Sequence, residues 1–144
     1  MNHDDEIDAF LGRYPATLTG FNAKGAADLW ATPGMIIDQN FAGVINDRET
    51  MAQGLEQSYP TYRRLGLASV THECLDVTDL TEKITLVHVR WHFFDAKGTQ
   101  LTDSTAYYIL RRDDAGLQAC VCIQVDDTEK IQALAAERGV HLTP

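Results

Sequence analysis

The sequence predicts an α+β fold, a cone in which N-terminal helices pack on a strongly curved, mainly antiparallel sheet. Two patterns indicate this class. Apolar residues recur at helical spacing in residues 5–21 and 51–59, and they alternate with polar residues from Leu65 to about residue 126. Helices and strands that are segregated along a chain are typical of α+β proteins. A curved sheet whose concave side is closed by helices encloses an interior cavity.

The first two helices are predicted in residues 5–30. One face of the segment 5–21 carries its apolar side chains, which are Ile7, Phe10, Leu11, Tyr14, Leu18 and Phe21. Asn22 is a suitable N-cap for a short second helix, which we expect to reach about Trp30. The segment Thr32-Pro33-Gly34 ends it.

A hairpin and a third helix follow. Residues 35–38 and 43–45 are predicted to form two short strands around a turn at Gln39-Asn40. Asn46 and Glu49 have the spacing of a capping box, which predicts the start of the third helix. That helix places three apolar residues on one stripe before Pro60: Met51, Leu55 and Tyr59.

Four long strands joined by hairpin turns make up the predicted meander, over residues 66–79, 83–95, 101–112 and 117–126. A last helix is predicted over 127–138, closed by Gly139. In the second strand an apolar set alternates with a polar one: Val87, Val89, Trp91 and Phe93 with His88, Arg90 and His92. We expect the apolar set to face the interior. The reverse orientation, with a histidine or arginine binding a ligand inside, stays open.

Composition restricts the classes of function. The 144 residues fit a single domain over 1–144, with 12 Lys and Arg against 21 Asp and Glu, a net charge of −9. Such an acidic chain is a poor partner for nucleic acid. We find no apolar run long enough for a membrane span and no secretory signal, and we expect a cytoplasmic protein with reduced thiols. Cys120 and Cys122, at i and i+2 of one strand, are predicted to share a face.

Three stretches of the chain resemble the nuclear-transport-factor-2-like superfamily, which includes SnoaL-like and ketosteroid-isomerase-like proteins. They are residues 23–31 (AKGAADLWA), 43–51 (GVINDRETM) and 107–112 (YYILRR). With the order of elements, the resemblance covers roughly residues 5–126. One departure is Asn46-Asp47, where many relatives have a glycine. The resemblance implies a cone with an apolar pocket, and a homodimer that pairs through the outer face of the sheet, to which a Cys120/Cys122 strip could contribute.

The resemblance also implies an acid–base pair. Tyr14 and Asp38 are 24 positions apart, the separation of the hydrogen-bonding tyrosine and the general-base aspartate in ketosteroid isomerase. The isomerase's second, protonated acid falls near Tyr108 here, where a phenol is the available donor. Asp103 lies on the opposite face of that strand. A carboxylate that moves a proton beside a carbonyl, with O–H donors on the developing oxyanion, would make a cofactor-independent isomerase or lyase.

Other interpretations remain open at this point. Tyr14 is in phase with the core face of its helix, and Asp38 suits a cap for the turn at Gln39-Asn40. A non-catalytic ligand-binding or dimerisation module of the same fold is therefore the alternative to an enzyme.

The expected ligand is a small apolar or carbonyl-containing molecule, bound against Trp30, Trp91 and Phe41. The sequence has no phosphate-binding glycine loop and no recognisable set of metal ligands, so we expect neither a nucleotide cofactor nor a metal.

Overall fold

The computed structural model describes residues 3–19, 22–114 and 116–140. Phe21, at the predicted end of the first helix, and Ala115, in the last hairpin turn, lie outside them, as does the side chain of Leu18. The helices are α1 (His3–Thr19), α2 (Ala23–Ala27), α3 (Arg48–Leu65) and α4 (Asp127–Arg138). The strands are β1 (Trp30–Asp38), β2 (Phe41–Ile45), β3 (Ser69–Asp79), β4 (Ile84–Phe94), β5 (Gln100–Asp113) and β6 (Gly116–Gln124).

The six strands form one curved sheet in the order β2-β1-β6-β5-β4-β3. Neighbouring strands are antiparallel except for β1 and β6, which are parallel. α1 packs against β3, α2 against α3, and α4 against β5. This is the predicted α+β cone of helices on a mainly antiparallel sheet. In the described part of the chain, no helix is both long and apolar enough to span a membrane.

The alternation predicted for β4 is confirmed. Its inward side chains are at most 6% exposed, and they are Val87, Val89, Trp91 and Phe93. They pack with buried residues of α1, chiefly Ile7, Phe10 and Leu11. Full burial of a large apolar side chain stabilises a fold by roughly 1.5–3 kcal/mol. This layer therefore holds α1 on the concave side of the sheet.

The prediction of a helix up to Trp30 is wrong. α2 ends at Ala27, and Trp30 is the first residue of β1, which continues through Thr32-Pro33-Gly34. The cap at Asn22 is confirmed, because its side chain accepts the N–H of Gly25 at 3.0 Å. The pairing of β1 with β6 shifts register between Trp30 and Met35. That irregularity accommodates a proline, which has no N–H for the ladder.

The start of α3 also differs from the prediction. The N-cap is Asp47 rather than Asn46, and its carboxylate accepts the N–H of Thr50 at 2.7 Å. The helix runs through Pro60 and ends at Leu65. Gly66 closes it with a φ of 84°, a left-handed conformation that glycine adopts without strain.

Candidate ligand-binding cavity

An apolar cavity of about 350 Å³ lies between the concave face of the sheet and helices α1 and α3. Each of the six strands contributes at least one residue to its wall, and β3 contributes Val70. Seven aromatic side chains line it: Tyr14, Trp30, Phe41, Tyr62, Trp91, Phe93 and Tyr108. A concave, mainly aromatic chamber of this volume is typical of small-molecule sites.

The three residues predicted to contact a ligand all lie on the wall. Trp30 and Trp91 are buried, at 1% and 6% exposure, and Phe41 is 58% exposed at the mouth. The Phe41 ring lies across Gly43, where any Cβ would collide with it. The aromatic side chains therefore line the chamber without filling it.

Tyr108 is the centre of a buried polar group. Trp91 Nε1 donates to the Tyr108 hydroxyl at 3.1 Å, and Tyr108 is also hydrogen-bonded to Cys122. Burial raises the pKa of the Tyr108 phenol and raises that of the Cys122 thiol to about 12. Both groups are protonated at neutral pH. The predicted outward strip of Cys120 and Cys122 is therefore wrong for Cys122, because a register shift in β6 turns it into the cavity.

Tyr14, the other predicted hydroxyl donor, lies beside this group. Its ring centroid is 5.9 Å from that of Trp91 and 6.4 Å from that of Tyr108. Burial raises the pKa of the Tyr14 phenol, and the nearby Trp30 indole N–H lowers it by a smaller amount. Trp30 Nε1 does not reach hydrogen-bond geometry with any described residue. The structure thus brings Tyr14 and Tyr108 together, as the resemblance implies.

Asp38, the predicted base, is not on the wall of this cavity. It ends β1, and its Oδ1 accepts the backbone N–H of Asn40 at 2.7 Å, which stabilises the turn between β1 and β2. This is the turn-capping role that the sequence left as the alternative.

The carboxyl group on the cavity wall is that of Asp127, the first residue of α4. Burial raises its pKa, a hydrogen bond from the Ser104 hydroxyl opposes this, and the charges of Asp126, Asp38 and Glu129 raise it further. No lysine, arginine or histidine lines the cavity within the described residues. No local pattern in the sequence indicates this role, since acidic residues at helix starts are usually solvated caps.

Two contacts hold the start of α4 against β5. Asp126 Oδ1 accepts the backbone N–H of Thr105 at 2.7 Å and the Thr105 hydroxyl at 3.3 Å. Lys130 Nζ donates to Asp103 Oδ1 at 2.7 Å. Because these bonds lie on either side of Asp127, they direct its side chain toward Ser104.

The polar side chains of β4 lie on the outer face of the sheet. Arg90 is 3.9 Å from Glu73 and 3.6 Å from Asp103, and His92 Nε2 is 3.0 Å from Glu73 Oε1. His88 stacks on Tyr107 with ring centroids 4.1 Å apart. The orientation in which these residues bind a ligand inside the cone is therefore wrong. Among the described side chains, no group of three or more His, Cys, Asp or Glu could hold a metal ion.

Comparison with known proteins supports the same architecture. A family model described as "NTF2-like protein (DUF6841)" matches residues 5–127. A search of curated proteins found no match.

Solved structures match with low sequence identity, and they show the fold alone. A cystatin-like domain of unknown function from Nostoc punctiforme has a TM-score of 0.69 and 17% identity, over 99% of this chain and 90% of that one. An NTF2-like protein from Novosphingobium aromaticivorans has a TM-score of 0.65 and 20% identity, over 91% and 87%. A ketosteroid isomerase-like protein from Erwinia carotovora has a TM-score of 0.64 and 13% identity, over 87% and 97%.

Proposed function

We propose that in this chain, which belongs to the NTF2-like protein family DUF6841, the cavity binds a small, mainly apolar organic molecule and Asp127 transfers a proton to or from it. One observation carries the proposal: a single carboxyl group, with a raised pKa, lies on the wall of an aromatic cavity that has no basic side chain among the described residues. A carboxyl group in such surroundings is suited to general acid–base work near neutral pH.

The proposed chemistry assigns a role to each polar wall residue. The Asp127 carboxylate takes a proton from a carbon beside a carbonyl group and returns it to the same or a conjugated carbon. The Tyr14 and Tyr108 hydroxyls donate to the carbonyl oxygen as it gains negative charge. Their raised pKa values keep both phenols protonated throughout. The proposal keeps the predicted tyrosines and moves the acid–base role from Asp38 to Asp127.

Exchange of carbon-bound protons tests this assignment. 2-Tetralone, an apolar ketone with acidic protons beside its carbonyl, is incubated with the protein in D₂O and followed by NMR. We expect the protein to accelerate deuterium incorporation, and Asp127→Asn to abolish the acceleration. Asp38→Asn is the matched control and should retain it. Loss of exchange in Asp38→Asn with retention in Asp127→Asn would return the role to Asp38.

A second candidate is a binding module without catalysis. The observation that favours it is the existing hydrogen-bonded group of Trp91, Tyr108 and Cys122, which already uses some of the donors that an oxyanion would need. Binding of 2-tetralone with quenching of tryptophan fluorescence, but with no exchange above the buffer rate, would support this candidate over the enzyme.

We also propose a homodimer formed through the outer face of the sheet. Beyond the charged end of β4, this face carries partly exposed apolar side chains, with Tyr107 beside Ile123 and Ile109 beside Val121. Sedimentation velocity should show a dimer that Ile123→Lys dissociates. Thr71→Lys, opposite His92 at the charged end of the same face, is the control and should leave the dimer intact.

A further inference from the structure

The cavity has one charge on its described wall, and that charge is negative. The Asp127 carboxylate accepts a hydrogen bond from Ser104, and no lysine, arginine or histidine of the described residues lies beside it in the cavity. An unpaired carboxylate in a partly buried site is costly, since burial removes water without supplying a counter-charge. A ligand that brings a positive charge would remove this cost.

The charged groups around Asp127 also favour a cation at this end of the cavity. The ionisable groups that raise its pKa through their charge are three further acids: Asp126, Asp38 and Glu129. Lys130, on the next turn of α4, is bonded to Asp103. The mouth of the cavity next to α4 is therefore negative, as is the whole chain at −9. Such a site attracts cations and repels anions.

The aromatic side chains on the rest of the wall can contact both the apolar body of such a ligand and its ammonium group. Trp91 and Phe93 of β4 and Tyr14 of α1 line the chamber. Aromatic faces attract ammonium groups within about 6 Å of the ring centroid. The small side chain of Ala106 lies between Ser104 and Tyr108 on β5, and it leaves room for a hydrocarbon chain to pass.

We propose that the preferred ligands of this cavity are organic amines in which an ammonium group pairs with Asp127 and an apolar body lies among the aromatic side chains. The inference deepens the binding part of the proposed function, on which it rests: it names the charge class of the ligand. Carboxylic acids of the same shape should bind more weakly, because their negative charge would lie beside Asp127.

Three compounds with one carbon skeleton test the charge preference: 4-phenylbutylamine, 4-phenylbutan-1-ol and 4-phenylbutyric acid. Binding is measured by calorimetry and by fluorescence of Trp30 and Trp91, the two tryptophans of the chain, at about pH 7 and low ionic strength. We expect the amine to bind about tenfold more tightly than the alcohol, and the acid about tenfold more weakly.

Two variants separate a direct ion pair from the general charge of the protein. In Asp127→Asn the amine should lose its advantage over the alcohol, while the alcohol still binds and so reports an intact cavity. Glu129→Gln removes one negative charge from an exposed position on the same helix and should keep the advantage to within about twofold.

The outcomes distinguish this inference from the proposed function. If the alcohol binds as tightly as the amine, or if Asp127→Asn retains the preference for the amine, the charge class is wrong and the ligand cavity stands. If none of the three compounds nor 2-tetralone binds, both the proposed function and this inference fail.

Discussion

Asp126 Oδ1 lies 2.7 Å from the backbone nitrogen of Thr105, and this bond fixes the start of α4 against β5. Asp126 is the N-cap residue of α4, but its side chain accepts no hydrogen bond from that helix. It binds the backbone of β5 instead. The next residue, Asp127, is turned toward the cavity as a result. The hydrogen bond that positions α4 therefore also positions the carboxyl group of the site.

Asp126→Ala should therefore weaken both stability and the site. The Thr105 N–H loses its acceptor, which costs about 1–3 kcal/mol for a partly buried donor. Urea denaturation measures the loss. We also expect the preference for 4-phenylbutylamine over the alcohol to fall, because Asp127 is no longer held in place. Asp114→Ala, in an exposed turn, is the control and should change neither quantity.

Asp127→Asn should stabilise the protein at neutral pH by up to about 1 kcal/mol, since it removes a carboxylate that burial disfavours. The sign follows from the raised pKa. The folded state binds the proton more tightly than the unfolded state, so this residue favours folding at low pH, and that contribution is lost as the pH rises through the pKa of the folded state. The difference between variant and wild type should be larger at pH 7 than at pH 4. If Asp127→Asn destabilised the protein equally at both pH values, the prediction would be wrong.

Tyr108→Phe removes the acceptor of the Trp91 indole N–H. A buried donor left without a partner costs about 1–3 kcal/mol. Trp91→Phe in the Tyr108→Phe background removes that donor as well, so the double variant should lose less than the sum of the two single variants. Thermal denaturation of the four proteins gives the coupling. Strict additivity would show that the hydrogen bond contributes nothing.

Ala106→Leu should fill part of the cavity. Because the added atoms enter empty space, we expect unchanged stability or a gain of about 0.5–2 kcal/mol, together with a loss of 4-phenylbutan-1-ol binding of about tenfold or more. Ala133→Leu, the same change at an exposed position of α4, is the matched control. A clear destabilisation specific to Ala106→Leu would mean that the space is too small for the added side chain.

The bond between Lys130 and Asp103 should make stability depend on acid pH. The Lys130 ammonium lowers the pKa of Asp103, so the pair stabilises the fold above the ordinary pKa of a carboxyl group. This contribution is lost progressively as the pH falls from there through the lowered pKa of the folded state. Both side chains are partly exposed, so Lys130→Met should cost only about 0.2–1 kcal/mol at pH 7. The cost should be smaller at pH 3 than at pH 7. A cost that is the same at both pH values would assign the effect to packing of the lysine side chain.

The sequence was a good guide wherever one local pattern decided the structure. The strict alternation from Val87 to Phe93 identified the inward face of β4, and Gly139 identified the end of α4. The helix that begins after Asn22 is predicted to reach Trp30 because Thr32-Pro33-Gly34 is the next break in the sequence. Pairing with β6, far along the chain, places Trp30 in a strand instead.

Parts of the site depended on contacts that no local pattern contains. Cys122 faces the cavity because of a register shift in β6, and a shift of one residue reverses the face. Asp127 looked like a solvated helix start, and its burial comes from the packing of α4 against β5. The resemblance to the family identifies Tyr14 and Tyr108 as site residues. Asp127 can be identified only once the fold shows that it lies on the cavity wall.

The parallel pairing of β1 with β6 has a kinetic consequence. Strands β3 to β6 follow one another as hairpins, but β1 must meet a partner that lies more than half the chain away. Loop closure over that distance is slow, so we expect the meander to form early and the N-terminal part to dock afterwards. The cavity is then completed in the final step. Ligands should consequently retard unfolding while leaving the folding rate nearly unchanged.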